Sequence, residues 1–314
     1  MFLGIDAGGT KTQALLVTAD GAVRARGRYG PGNWESIGFD AAITLYQYII
    51  ADVEQQAGVD RNDIRSVGWG LAGVDWPSDE KRMSDALTTL FPSANHTVVN
   101  DAYIALRAGT PHPYGVAIIA GTGSTVVAVG KDGKRARTYG LGSDWGDFDG
   151  AQQLTREAFK AAAQAEYGMA AATLLTPALL SWSGAVSIAA LAEAWSRGGA
   201  VPDLASFAPH VMNVASSGDP AAQRIVQHAA EILSRNAIAM AHQVGLHDVR
   251  CDVVLAGGVA TGANDVFRST FDKHLHVACP HAVTQILHRA PVSGAVLLAM
   301  DAVGHSLKSI QTEW

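Results

Sequence analysis

Seven residues near the start of the chain, Asp6-Ala7-Gly8-Gly9-Thr10-Lys11-Thr12, stand between two apolar runs. Glycines let the backbone approach a phosphate closely and take positive φ. Threonine hydroxyls and backbone N–H groups donate to phosphate oxygens. Lys11 adds a point charge, and Asp6, at a strand end, can hold Mg²⁺ directly or through water. A plain glycine hairpin has the same composition, so the segment alone decides little. Neither G-x-x-x-x-G-K-[ST] nor a helix-opening G-x-G-x-x-G occurs here, so P-loop and dinucleotide binding gain no support.

Gly121-Thr122-Gly123-Ser124 repeats the build. Two cradles in corresponding places, facing each other across a cleft, would hold a triphosphate from both sides. Leu255-Ala256-Gly257-Gly258-Val259 ends another apolar run with two glycines, where backbone can lie flat against an adenine or ribose. Asp101 follows Thr97-Val98-Val99-Asn100. A carboxylate there can accept a hydroxyl proton, although a helix N-cap would use the same residue.

The elements that position these groups alternate in type. Phe2–Ile5, a glycine turn and Thr12–Thr18 read as strand, turn, strand, followed by a hairpin at Asp20-Gly21 and a strand over Ala22–Arg28. Ile43, Tyr46, Ile50 and Val53 have helical spacing over Phe39–Gln56, and Gly58 is its stop. Ser66–Leu71 reads as a strand, Ser78 as the cap of a helix, and Asp101 as the start of another. The opening pattern then recurs: strand, small-residue turn, strand, and a hairpin at Asp132-Gly133. Residues 151–245 are mostly helical, with Asp219-Pro220 a strong helix start. A strand over Asp252–Leu255 and a helix over Ser293–Val303 complete the chain.

Composition narrows the class. With 314 residues, 48% hydrophobic and 17% charged, the chain can bury a substantial core, and two domains are expected. A net charge of −6 without a Lys/Arg run argues against nucleic acid as a partner. ATP would then be met by backbone N–H groups, one or two cations and Mg²⁺. Cys251 and Cys279 form no metal or redox pattern and read as buried thiols in strand-like runs; His274-x-His276 has the spacing of one strand face. No signal peptide and no membrane-spanning run is recognised, so a cytoplasmic protein with no membrane partner is expected. A homodimer stays open.

Together Asp6–Thr12, Val99–Leu106, Ile119–Ser124, Leu255–Ala260 and Pro291–Ala299 resemble the five signature segments of the sugar kinase/heat-shock protein/actin superfamily: phosphate 1, connect 1, phosphate 2, adenosine and connect 2. More narrowly, the chain resembles the N-acetylglucosamine kinase branch that includes the BadF/BadG-type ATPases. The resemblance implies an α/β fold of two ribonuclease-H-like (actin-like ATPase) domains, about 1–107 and 108–314, with a cleft between them. A helical insertion would enlarge the second, and a final helix near 293–304 would return to the first. It implies Asp6 near Mg²⁺, and Gly8, Gly9, Thr10, Lys11, Thr12, Thr122, Gly123, Ser124, Gly218, Asp219, Gly257 and Gly258 at ATP. It implies Asp101 as the base that addresses a sugar hydroxyl, and Asn33, in Gly32-Asn33-Trp34, on the sugar.

One segment departs from the family pattern. Relatives carry Gly-Asp-Glu-Gly-Ser where this chain has Gly146-Asp147-Phe148-Asp149-Gly150, preceded by Ser143-Asp144-Trp145. Asp147 keeps its place, Phe148 replaces Glu, and Asp144 and Asp149 add charge. Three carboxylates in six residues repel one another unless a cation or donors compensate. The 2-ammonium of glucosamine fits that need; a solvated, helix-capping turn is the plainer alternative. Trp34 or Trp145 would stack on the sugar. The expectation is therefore an ATP- and Mg²⁺-dependent amino-sugar kinase acting on the 6-hydroxyl, glucosamine first and N-acetylglucosamine second. An ATPase activator, a sugar-sensing repressor and a nucleotide-binding scaffold are the weaker alternatives.

Overall fold

A computed structural model of the chain describes residues 1–262 and 264–310. The first half runs β1 (Phe2–Ala7), β2 (Thr12–Val17), β3 (Val23–Tyr29), α1 (Trp34–Ile37), α2 (Phe39–Ala57), β4 (Ser66–Leu71), α3 (Pro77–Thr88), β5 (Asn95–Asn100) and α4 (Asp101–Gly109). The second begins with β6 (Gly115–Ala120), β7 (Ser124–Val129) and β8 (Arg135–Arg137). The helices α5 (Gly150–Glu166), α6 (Leu175–Ser183), α7 (Ile188–Ser196), α8 (Ala208–Ser216) and α9 (Pro220–Gln243) follow. It ends with β9 (Cys251–Ala256), α10 (Gly258–Thr261), α11 (Asp265–Ala278), β10 (Ala282–Ile286) and α12 (Pro291–Asp301).

The described residues form two five-stranded sheets, ordered β3-β2-β1-β4-β5 and β8-β7-β6-β9-β10. In each, the first three strands pair antiparallel and the next two join parallel. The halves are thus the same ribonuclease-H-like sheet built twice, and the repeated strand–turn–strand motif is its opening. Parallel strands need covered crossovers, and the helices supply them. The face of β1 that carries Leu3, Ile5 and Ala7 packs on α2 through Ala42, Tyr46 and Ile50. The opposite face, with Phe2 and Leu15, packs on α12 through Val292, Val296 and Met300. Hence the last helix lies on the first sheet. It also crosses α4 so closely that a Cβ on Gly294 would stand 1.9 Å from Ile104 O. Buried Arg107 on α4 fixes the pair through Asp301 of α12, at 2.7 Å.

Three local expectations need correction. Ser78 does not cap α3: Pro77 takes the first helical position, and the Asp79 carboxylate accepts from Trp76 N at 3.0 Å. His274 and His276 lie on α11, whose buried Phe267, Phe271 and Leu275 recur at helical spacing. Cys279 ends that helix; both cysteines are buried, and burial pushes the Cys251 thiol up to about 11.

Candidate active site

Parallel strands leave their C-terminal ends at a common edge, where ligands of open α/β sheets bind. Here Asp6 stands at the end of β1, Gly121–Gly123 between β6 and β7, and Gly257-Gly258 beyond β9. All line one cleft of about 970 Å³, together with Asp101 and Ser124.

Asp101 opens α4. Asn100 caps that helix by accepting from Ala102 N at 3.0 Å, so the Asp101 carboxylate stands at the positive helix end. Burial, then the charge of Asp75, pushes the Asp101 carboxyl up to about 6, against Arg137 and the N–H groups of Ala102 and Asp101. Burial, then the Asp101 charge, pushes Asp6 up to about 7, against Lys11. Two carboxylates in one cleft of a 48% hydrophobic chain thus hold protons unusually well, and a cation between them and the substrate would reverse that.

The second glycine turn is firmly seated. Ala151 N, in the first turn of α5, donates to Gly121 O at 2.8 Å. Gly150, at φ +63°, presses so closely that a Cβ would lie within 2.7 Å of three carbonyls of that turn. Gly257, at φ +83°, comes equally near, 2.4 Å for a Cβ from Ala120 O. Only glycine fits either place. Ser124 Oγ donates to Phe148 O, so this hydroxyl braces the turn. Beside it, Gly121, Thr122, Met212, Asn213, Gly258 and Asn264 help to line a slot of about 420 Å³ with a largely apolar wall.

The first turn is looser. Gly9 and Thr10 are exposed, and Gly8 N donates to Lys11 O. Buried Thr12 donates its hydroxyl to Gly30 O at 2.9 Å, anchoring the following loop instead of facing the cleft. That loop holds Asn33, whose side chain caps α1 by accepting from Glu35 N. Trp34 donates its indole N–H to Gly73 O and lies under the Arg82 guanidinium, so it packs within the first half.

The acidic run divides sharply. Asp147 is buried and accepts from Gly140 N and Leu141 N. Asp149 accepts from Ser143 N and Oγ. Phe148 is buried in the second core. Asp144 alone of the three acids is exposed and has no partner among the described residues; it lines a side cavity of about 470 Å³ that adjoins Thr122–Ser124. Gly146 ends the short turn Ser143–Trp145 at φ +82°, and Trp145 is 64% exposed. Gly218-Asp219 stands apart from the cleft lining: Asp219 caps α9 and accepts from Thr173 and Leu174 N.

Asp75, Trp76, Tyr139 and Gln13 also stand at or beside the site and were not among the candidates in the sequence. Asp75 accepts from Asn100 Nδ2 at 2.9 Å and from Arg137 Nη1 at 2.8 Å, tying the first half to β8 beside Asp101. Trp76, Tyr139 and Trp145 form an exposed aromatic row, with centroids 5.7 and 6.0 Å apart. Gln13 pairs with Asp6 across β1 and β2, so their side chains share a face. It is 4% exposed, and its Oε1 has no partner. The spacing Gly73-Val74-Asp75-Trp76 after a strand was the available signal for the first two.

The match to known families runs through the whole of this frame. The BadF/BadG/BcrA/BcrD ATPase family matches over residues 3–299. The chain belongs to that family. Within reach of it, an N-acetylmuramic acid/N-acetylglucosamine kinase of Clostridium acetobutylicum is 28% identical over 298 residues, 95% of this chain and 97% of that one. A glucosamine kinase of Vibrio cholerae is 25% identical, covering 77% of this chain and 81% of its own. In structure, a proposed N-acetylglucosamine kinase of Chromobacterium violaceum superposes with a TM-score of 0.69 at 24% identity, over 95% of this chain and 98% of that one. This chain thus has the two-domain actin-like ATPase fold, in common with that structure.

Proposed function

We propose that this chain is an ATP-dependent amino-sugar kinase that phosphorylates the 6-hydroxyl of its acceptor. One observation carries the reading: the Asp101 carboxylate lines the same cleft as Asp6, the glycine turn Gly121–Gly123 and Gly257-Gly258, an arrangement suited to a triphosphate. Asp101 accepts the proton of the acceptor hydroxyl, whose oxygen bonds to the γ-phosphorus as the bond to the β-phosphate oxygen breaks. Positioning dominates such a transfer, so a carboxylate of modest basicity suffices. The slot beside Gly258 suits an adenine, and Trp145 offers a face for the sugar ring.

Mg²⁺ fits this donor set. The Asp6 carboxylate and the orphaned Oε1 of Gln13 share a buried face, and Mg²⁺ takes one or two protein oxygens, keeping water and phosphate for the rest. When bound it neutralises phosphate charge.

For the acceptor, two of the three acids proposed for a 2-ammonium already hold donors of their own, Asp147 from backbone and Asp149 from Ser143. This favours N-acetylglucosamine, in line with the Clostridium relative. Glucosamine remains the second reading because Asp144 is unengaged and because the Vibrio relative is a glucosamine kinase. A coupled ADP-release assay across N-acetylglucosamine, glucosamine, glucose and mannosamine tests both. ADP release that no sugar stimulates would end the kinase reading.

A further inference from the structure

A nucleoside triphosphate brings about four negative charges to a cleft that already contains Asp6 and Asp101. Backbone N–H groups and a divalent ion offset part of this, and a side-chain cation is expected to offset more. Among the described residues, the lining of the cleft contains one lysine or arginine, and it is Arg289. Lys11, whose charge reaches Asp6, is outside that lining.

Arg289 stands where the chain passes from one half to the other. Leu287 N donates to Leu255 O, so the second sheet continues to that point. Three residues later Ala290 caps α12, which packs on the first sheet. Adjacent strand ends are about 4.8 Å apart, which sets Leu287–Arg289 beside Ala256-Gly257 and two strands from the turn Gly121–Gly123. Arg289 and that turn line the same cleft. Arg289 is an exposed residue, makes no ion pair among the described residues, and has one long, part-buried bond, Nη1 to Ala108 O at 3.4 Å. Ala108 lies in the last turn of α4. A cation at that negative helix end is favourable in itself, so a purely structural capping role must be separated from a ligand role.

We propose that Arg289 binds the polyphosphate of the nucleotide and, seated on the α4–α12 crossing, couples that contact to the hinge between the halves. This rests on the nucleotide part of the proposed function and is independent of the acceptor. The guanidinium turns from Ala108 O toward the phosphates, exchanging a long neutral bond for charge-assisted ones.

Calorimetric binding of ATP, ADP and adenosine, each with Mg²⁺, tests it on the full chain with Arg289→Gln and Arg289→Lys. Glutamine keeps a donor for Ala108 O and loses the charge. Arg289→Gln is expected to weaken ATP and ADP roughly ten- to hundredfold, the worth of a charge-assisted hydrogen bond, and to leave adenosine within about twofold. Arg289→Lys should recover part of the loss, and KM for the sugar should move less than KM for ATP. Equal losses for adenosine and ATP, or a lowered Tm with unchanged ATP affinity, would overturn the assignment. If the unaltered protein binds ATP but phosphorylates no sugar, the acceptor reading fails alone, and the nucleotide series still decides Arg289. If it binds no nucleotide, both fall.

Discussion

The two glycine turns have the same strand–turn–strand setting and are supported differently. At both tips the glycines face open space: a Cβ on Gly9, Gly121 or Gly123 would touch nothing within 4 Å, whereas one on Gly8 would meet Lys11 O at 3.3 Å. Around the second turn, however, Gly150 and Gly257 bring α5 and the end of β9 hard against its carbonyls. The first turn is held only at its base, where Gly32 N and Asn33 N donate to Gly8 O at 3.0 and 3.2 Å and Thr12 is tied to Gly30, while Gly9 and Thr10 are exposed. Similar local sequence therefore yields one turn packed between a helix start and a strand end, and one held at its base by backbone donors of the loop after β3 with an exposed tip. The carboxylates divide the same way. Asp101 is oriented by a helix start and by the Asp75–Arg137 bridge, whereas Asp6 sits near an orphaned glutamine oxygen and a lysine on the loose turn.

The largest effect expected on that contrast comes from Asp101. Asp101→Asn should lower kcat by roughly a thousandfold, within the range of general-base loss, with ATP affinity retained by calorimetry. Near-normal kcat would remove Asp101 from the chemistry. Next come the glycines. Gly257→Ala combines a left-handed φ with a 2.4 Å approach to Ala120 O, and should cost at least about 2 kcal/mol in urea denaturation. Gly9→Ala and Gly123→Ala should stay within about 0.5 kcal/mol and raise KM for ATP instead. Equal destabilisation at all three positions would erase the distinction between the turns.

Much of this is legible in the sequence. Strand Ser66–Leu71 and the start of α2 at Phe39 follow from apolar runs and from Gly58 as a stop. The doubled sheet follows from the doubled motif. What escaped depends on contacts between distant residues. Asp75 and Arg137 are 62 positions apart, and nothing in either neighbourhood announces the other. Asp147 and Asp149 looked like free charge because their partners are backbone N–H groups and a serine made available only by the folded loop. Two histidines one residue apart looked like a strand face because three residues are too short to distinguish periods of 2 and 3.6; Phe267, Phe271 and Leu275 carried the answer.

Acid titration probes the carboxylates as a pair. With Asp101 pushed up to about 6 and Asp6 to about 7, kcat/KM should fall as pH drops below about 7, with apparent values that belong to both groups. For stability the sign is opposite. Both carboxyls bind protons more tightly folded than unfolded, so the folded state holds more protons between about pH 4 and 7. Their contribution to the ligand-free fold is therefore greatest below pH 4 and is lost as pH rises through 6 and 7. Asp6→Asn should remove part of that loss, raising the urea midpoint at pH 8 relative to the unaltered protein while abolishing transfer. A lowered midpoint would mean that the Asp6 carboxylate is stabilised by its surroundings.

The smallest effect sharpens the division within the acidic run. Asp149 holds Ser143 through two bonds, one of them at 2.7 Å. Asp149→Asn should therefore cost about 1 kcal/mol of stability, a typical net hydrogen-bond contribution, and should affect all sugars alike through the loop it braces. Asp144 holds nothing and faces the side cavity next to the second turn. Asp144→Asn should leave stability within about 0.5 kcal/mol. If an ammonium is read there, the variant should raise KM for glucosamine about two- to fivefold, the worth of an exposed charge pair. KM for N-acetylglucosamine, which carries no charge at that position, should not change. A parallel change in both sugars would assign Asp144 to loop geometry, and no change in either would leave the acceptor to be recognised by neutral groups, with Trp145 the first residue to substitute.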